Sequence, residues 1–186
     1  MLKEFPRGLE DSSGRIAEFF LFGKVRTGDP HYQKEARDCL AITDPQAREI
    51  CAIRLIRKRQ PSDPKNPKKL VMKDLLFETA AFLDLKSKEE LERLEVLTTI
   101  DSIADFVCHA DLITLLKERN SDSFRIAKLD YSKHPKTLED PESSKADLLV
   151  GDIPDPAENP RAYKERIIEI AQHNAKILKT KMPVGL

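Results

Sequence analysis

The sequence predicts a mainly α-helical single domain, a bundle of six to seven helices with a short irregular or β segment before the last helix. Three observations lead to this fold class. Apolar residues recur at intervals of three and four along most of the chain, the spacing of one helix face. Glycines number only six, too few for a fold built from many strands and turns. Asp-Pro or Asn-Pro pairs precede four of the apolar runs, at residues 29–30, 44–45, 66–67 and 159–160.

The length and composition indicate one domain with well-solvated helix faces. A chain of 186 residues is long enough to bury a core of its own. Charged residues make up 34% of it, and 32 Lys and Arg balance 32 Asp and Glu, so no net charge draws the whole molecule towards nucleic acid or a membrane. We divide the predicted domain into a helical core at 12–120, an irregular acidic arm at 121–158 and a C-terminal helix at 159–180.

The proline pairs predict where helices begin. Proline costs about 3 kcal/mol in a helix interior but little at the first helical position, where its missing N–H is not needed. Asp or Asn before it is a good N-cap. The pattern Ala-Arg-acid-x-x-Ala-Ile occurs at 36–42 and again at 47–53, on either side of Pro45. We therefore predict two short helices, Pro30–Leu40 and Pro45–Arg57, packed as a hairpin.

Apolar spacing predicts the other helices. Before the hairpin, Ile16, Phe19 and Phe20 indicate a helix, although a strand is the alternative prediction for this segment. Residues 67–84, with apolar Leu70 and others, are predicted as the next helix. Residues 160–179 are predicted as the last.

Two further helices are predicted between residues 87 and 120. Ser87 and Glu90 match a capping box, which would open a helix carrying Leu91, Leu94 and Leu97. The run 101–120 has a faint helix-turn-helix cadence, but no Pro or Gly breaks it, so we predict one continuous helix.

The acidic arm breaks the helical pattern. Residues 123–131 alternate loosely and indicate a short strand. From 130 to 158 there are eight acidic residues against three lysines, and a stretch this long without periodicity is usually functional or disordered. Its apolar island at 146–153 is predicted either to pair with the strand or to dock on a partner through Leu148, Leu149 and Val150. We also predict that the arm covers the basic loop in the isolated protein.

The basic loop, residues 54–73, carries seven net positive charges. Clustered Lys and Arg are the natural partners of a phosphate backbone, so this loop is the candidate anion- or nucleic-acid-binding site. No aromatic residue lies among its cations, so a stacking platform for single strands is lacking. The ordinary alternative is a solvated surface whose cations favour a helix C-terminus. The candidate residues are Arg54, Arg57, Lys58, Arg59, Lys65, Lys68 and Lys69.

Three histidines are weak candidates for metal ligands. His31, His109 and His173 each have a carboxylate four residues away, on the same face of a predicted helix. Di-metal bundles use Glu-x-x-His motifs instead, and that pattern is absent. With 32 acidic residues in the chain, such pairs are expected by chance.

The cysteines and the apolar runs indicate a cytoplasmic protein. Cys39, Cys51 and Cys108 show no C-x-x-C spacing, so we predict that all three are reduced and at least two are buried. The start of the chain lacks the apolar run of a signal peptide. The longest run near it, residues 19–22, is too short to span a bilayer, so no membrane partner is expected.

These patterns favour a non-enzymatic helical interaction or adaptor protein that joins an assembly, with a protein partner or through self-association. No Gly-rich phosphate loop or nucleophile elbow is present, and no cofactor is predicted. One alternative is a nucleic-acid-binding regulator that uses the basic loop. Another is a metal-dependent helical enzyme that uses His31, His109 and His173.

Overall fold

A computed structural model of the chain describes residues 12–131 and 146–186 and has an α/β fold, not the predicted helical bundle. Within these ranges seven helices accompany a mixed five-stranded sheet. The helices are α1 (Ser12–Phe22), α2 (Pro30–Leu40), α3 (Pro45–Arg57), α4 (Leu70–Phe82), α5 (Lys88–Leu91), α6 (Ile103–Cys108) and α7 (Pro160–Thr180). The strands are β1 (Leu94–Thr98), β2 (Leu112–Lys117), β3 (Ser123–Tyr131), β4 (Leu148–Val150) and β5 (Val184–Gly185).

The sheet has the order β1-β2-β3-β4, and the first three strands form an antiparallel meander. β4 pairs in parallel with the end of β3, where Leu129 lies opposite Leu148. β5 pairs antiparallel with the start of β3, where Phe124 lies opposite Val184. The outer edge of β3 is therefore covered by a different strand at each end.

Helices cover both faces of the sheet. α1, α4 and α7 pack on one face, which presents alternate strand residues such as Leu94, Leu112 and Leu129. α2, α3 and α6 pack on the other, which presents residues such as Leu97 and Ile113. Because both faces are covered, all five residues of β1 and the first five of β2 are buried without alternation.

The predictions of helices at 91–97 and 101–120 were wrong for this reason. A strand buried on both sides gives a continuous apolar run that also matches helical spacing. The capping box of Ser87 and Glu90 is confirmed, but the helix it opens ends at Leu91. α6 likewise ends at Cys108, and the left-handed backbone of His109 after it (φ 50°) turns the chain towards β2.

Three of the four proline pairs begin helices as predicted. Asp29 Oδ1 accepts a hydrogen bond from His31 N (2.7 Å), and Asp44 Oδ1 accepts one from Ala47 N (2.6 Å). Asn159 caps α7 in the same way. The fourth pair, at 66–67, lies in a loop, and α4 begins at Leu70 without a side-chain cap. The two copies of the Ala-Arg-acid-x-x-Ala-Ile pattern thus belong to two separate helices, α2 and α3.

A disulfide joins Cys39 of α2 to Cys51 of α3, so the prediction of three reduced cysteines was wrong. The short link of the hairpin brings the two Cα atoms to 5.5 Å, a distance that a disulfide bridges. The expected burial is confirmed for Cys39 and Cys108. Burial in the core raises the pKa of the free Cys108 thiol to about 12.

The acidic arm is only partly irregular. Residues 123–131 form the predicted strand, and the apolar island pairs with it as β4. Lys181 Nζ lies 2.5 Å from Asp147 Oδ1 beside this pairing, and Ile153 joins the core. From residue 146 onwards the described part of the arm therefore pairs at the sheet edge opposite β1, and it forms no ion pair with the exposed cations of the basic loop, contrary to prediction. The part of that prediction that concerns 132–145 lies outside the described residues.

Candidate interaction surface

The basic loop is fixed along the outer edge of β1. Gln60 donates from its Nε2 to Thr98 O (3.0 Å) and accepts at its Oε1 from Thr98 N (2.9 Å). Two residues earlier on the strand, Val96 N donates to Pro64 O (3.0 Å). In these bonds the loop takes the place of a further strand, because it pairs with Val96 N, Thr98 N and Thr98 O at the edge of β1. The loop is therefore anchored to the sheet at Gln60 and Pro64.

Three of the seven candidate cations stabilise the fold. Arg57 forms two 2.6 Å hydrogen bonds with buried Glu95, which raise the pKa of Arg57, and its guanidinium lies 4.8 Å from the Phe124 ring centre. Arg59 forms ion pairs with two carboxylates of α2 and its cap. Lys69 Nζ donates to Phe20 O (2.9 Å).

The other four candidates are exposed. Their side chains form no ion pair or hydrogen bond with any residue in the described ranges. They are Arg54, Lys58, Lys65 and Lys68.

An exposed apolar area lies next to the basic loop on α1 and α4, which pack against each other. The exposed fractions are 53% for Ile16, 75% for Phe20, 51% for Leu70 and 51% for Phe77. The apolar residues Ile16, Phe20 and Leu70 indicated helices at these positions, but the core is filled by residues such as Phe22 instead. The signal for this area is that both helices are apolar on nearly all sides, more than one core-facing stripe requires.

Lysines border this apolar area. The bond from Lys69 to the backbone of Phe20 places the end of α1 beside the start of α4. Along α4, Leu70, Lys73 and Phe77 follow one another at helical spacing on the exposed side. We call Ile16, Phe20, Leu70 and Phe77, together with Lys68 and Lys73, the interaction surface.

The predicted docking residues of the arm belong to the sheet. Leu148, Leu149 and Val150 form β4, and Val150 is buried in the core. Leu149 keeps an exposed side chain. The apolar character of this segment thus serves its pairing with β3.

The three histidines are exposed and lie on different layers of the fold. His31 is on α2 and His109 follows α6, on one side of the sheet, whereas His173 is on α7, on the other. Across residues 12–131 and 146–186, no three His, Cys, Asp or Glu side chains are grouped so that they would hold a metal ion.

Asp111 is the buried carboxyl with the largest shift of its pKa. Burial, and then the charge of Glu18, raise the pKa of Asp111 to about 9. Its Oδ2 accepts a hydrogen bond from Tyr131 N (2.7 Å). The cavity beside it measures about 10 Å³ and is otherwise lined by apolar residues and Tyr131, which is space for one water molecule at most. Asp111 is therefore a structural group of the core.

Comparisons with known proteins give no information on the interaction surface. None of the helices in the described ranges combines the length and the apolar character needed to cross a membrane. No protein-family model, no curated protein and no solved structure matches the chain.

Proposed function

We propose that this chain is a non-enzymatic interaction protein and that its interaction surface binds an acidic segment of a partner protein. One observation supports the proposal. Four large apolar side chains, each more than half exposed, lie on two packed helices beside lysines without carboxylate partners in the described structure.

The apolar residues supply the binding energy. Burial of a Leu, Ile or Phe side chain is worth roughly 1.5–3 kcal/mol. Contiguous exposed apolar patches larger than a few hundred Å² are rare on soluble domains and mark interaction sites. Phe20 and Phe77 are exposed aromatic residues, a type that is enriched in protein interfaces.

The charges select an acidic partner. Lys68 and Lys73 are exposed, and the first turn of α4, whose positive dipole end lies beside them, contains no acidic residue. The carboxylate of Asp74 on the same helix accepts a hydrogen bond at its Oδ2 from the Tyr163 hydroxyl (2.8 Å). An apolar centre with a charged rim is the anatomy of a protein interface, whereas a nucleic-acid interface is polar and basic throughout.

The test uses a fluorescein-labelled amphipathic peptide whose leucines recur every three or four positions, with glutamates at the others. We expect it to bind in fluorescence anisotropy, and the double variant Phe20→Ser/Phe77→Ser to bind at least tenfold more weakly. Phe106→Ser is the matched control, because Phe106 is 54% exposed on α6, on the opposite face of the sheet. Equal effects of the two variants would refute the proposal.

The charge contribution is tested separately. Lys68→Glu/Lys73→Glu should weaken peptide binding at low salt, and the difference should shrink as salt screens it. Lys176→Glu, at an exposed position of α7, is the matched control. Analytical ultracentrifugation at several protein concentrations tests whether a second copy of the chain occupies the interaction surface instead. A dimer that the double serine variant abolishes would assign the interaction surface to a second copy of the chain and contradict an acidic partner.

Nucleic-acid binding is a second candidate, supported by the basic loop, which is anchored to β1, and by its four cations without a partner in the described ranges. Four phosphate contacts predict that the logarithm of the affinity for duplex DNA falls with the logarithm of salt concentration with a slope of about −3.6. Reversing the charges of Arg54, Lys58 and Lys65, which lie outside the interaction surface, should abolish this binding and leave peptide binding unchanged. DNA binding that survives the reversal would exclude this role of the loop.

A further inference from the structure

A second concave surface lies at the far end of α4. The groove has a volume of about 540 Å³ and is open to solvent. It lies where α4 and α7 end, beside α5 and the turn from β2 to β3. Its volume falls within the range of small-molecule sites, roughly 300–1,000 Å³. Along α4 the groove begins at Leu83, six residues or about 9 Å beyond Phe77 of the interaction surface, and none of its lining residues belongs to that surface.

The groove has an excess of positive charge. Five cations line it, namely Lys86, Arg93, Arg119, Arg125 and Lys179. Three of them pair with carboxylates: Lys86 with Asp84, Arg119 with Glu90 and Arg125 with Glu118. Within the described part of the chain Arg93 and Lys179 have no carboxylate partner, so two positive charges are unbalanced.

Backbone oxygens hold the cations of the groove in place. Arg93 Nε donates to Lys117 O (2.8 Å), and the Lys117 N–H donates back to Arg93 O (2.8 Å). Lys179 Nζ donates to Phe82 O (2.8 Å) at the end of α4. Arg125 donates to Lys179 O (2.8 Å) at the end of α7. The two helix ends carry about half a negative charge each, so about one excess positive charge remains.

We propose that this groove binds a small ligand that carries a doubly charged phosphate group. The terminal amino groups of Arg93 have no partner in the described ranges, and a guanidinium fixed at its Nε presents them as a fork that matches two phosphate oxygens. Arg119, which is mostly exposed, is positioned to turn from Glu90 towards the ligand. Leu83, Leu85 and Leu116 form an apolar wall for the rest of the molecule.

The experiment is isothermal titration calorimetry in chloride buffer with inorganic phosphate and with phenyl phosphate. Both are expected to bind, and phenyl phosphate more tightly because its ring contacts the leucines. Arg93→Gln should weaken both at least tenfold. Arg93→Lys should also weaken them, because it keeps the charge and loses the fork. Arg161→Gln is the matched control, since Arg161 is exposed in an i,i+4 ion pair near the start of α7.

Stability is followed in parallel by thermal melting. If Arg93→Gln does not fold, Arg119→Gln replaces it, because that mostly exposed side chain is not part of the core. Absence of heat at millimolar phosphate, or equal affinities of wild type, Arg93→Gln and Arg161→Gln, would overturn the proposal. In that case a lower melting temperature of Arg93→Gln would show that the cations serve only the helix and strand ends.

Discussion

The disulfide between Cys39 and Cys51 stabilises the hairpin of α2 and α3, and its removal has a calculable effect. The two cysteines are 12 residues apart, so the bridge closes a loop of about 13 residues in the unfolded chain. In the chain-entropy model such a loop is worth about 3 kcal/mol at 25 °C. For 186 residues the unfolding entropy is about 0.4 kcal/mol per kelvin, so the melting temperature should fall by about 7 °C on reduction.

The assay is urea unfolding of the oxidised protein with and without dithiothreitol, with thiols counted in the denatured state. We expect one free thiol before reduction and three after it, because Cys108 is the free cysteine. The variant Cys51→Ala is the control. It should resemble the reduced wild type, and dithiothreitol should not change it, because half-buried Cys51 loses little packing.

Two outcomes would refute this reasoning. Three free thiols in the oxidised protein would show that the bridge does not form. An unfolding midpoint that stays unchanged when the thiol count rises from one to three would show that the hairpin constrains the unfolded chain without the bridge.

Three further predictions concern single residues. Asp44→Ala removes the cap of α3 and should cost about 1 kcal/mol of unfolding free energy in urea, whereas Asp38→Ala on the exposed side of α2 should not. Arg57→Met leaves Glu95 buried without its partner and should cost about 2–3 kcal/mol; a loss below 0.5 kcal/mol would count against a stabilising pair. The pKa of Asp111 is raised to about 9 from 3.8, so between these pH values the folded state retains a proton that the unfolded state loses. The free energy of unfolding should therefore fall as pH rises from about 4 to 9, by up to about 1.4 kcal/mol per pH unit. Asp111→Asn should remove this fall in urea unfolding at pH 5 and 8, and an unchanged pH dependence would assign it to another group.

Local signals predicted three of the four proline-marked helix starts correctly because the physics of a cap is local. The bounds of α2 and α3 follow from Asp29 and Asp44 with the prolines after them. β1 and β2 could not be predicted in this way, because Leu94 and Leu97 are buried by opposite layers of helices that fold up from distant parts of the chain. A continuous apolar run indicates that a segment is buried, but it does not distinguish a buried strand from a buried helix.

The candidate sites were predicted less well for a similar reason. Charge density predicted the basic loop, but the ion pair of Arg57 depends on Glu95, which is 38 residues away. The interaction surface was missed because spacing within α1 and α4 does not show which side of an all-round apolar helix the core covers. The groove gathers cations from three separate parts of the chain, 86–93, 119–125 and residue 179, and no sequence window contains them together.

The loop along β1 also determines where the sheet stops growing. An unpaired strand edge is a template on which another chain can add a strand and begin an aggregate. Gln60 and Pro64 occupy the hydrogen-bonding groups of Thr98 and Val96 that such a strand would use. Because Pro61 and Pro64 have no N–H, the loop cannot act as the next template in turn. The same segment that displays the free lysines thus keeps neighbouring molecules apart at this edge of the sheet.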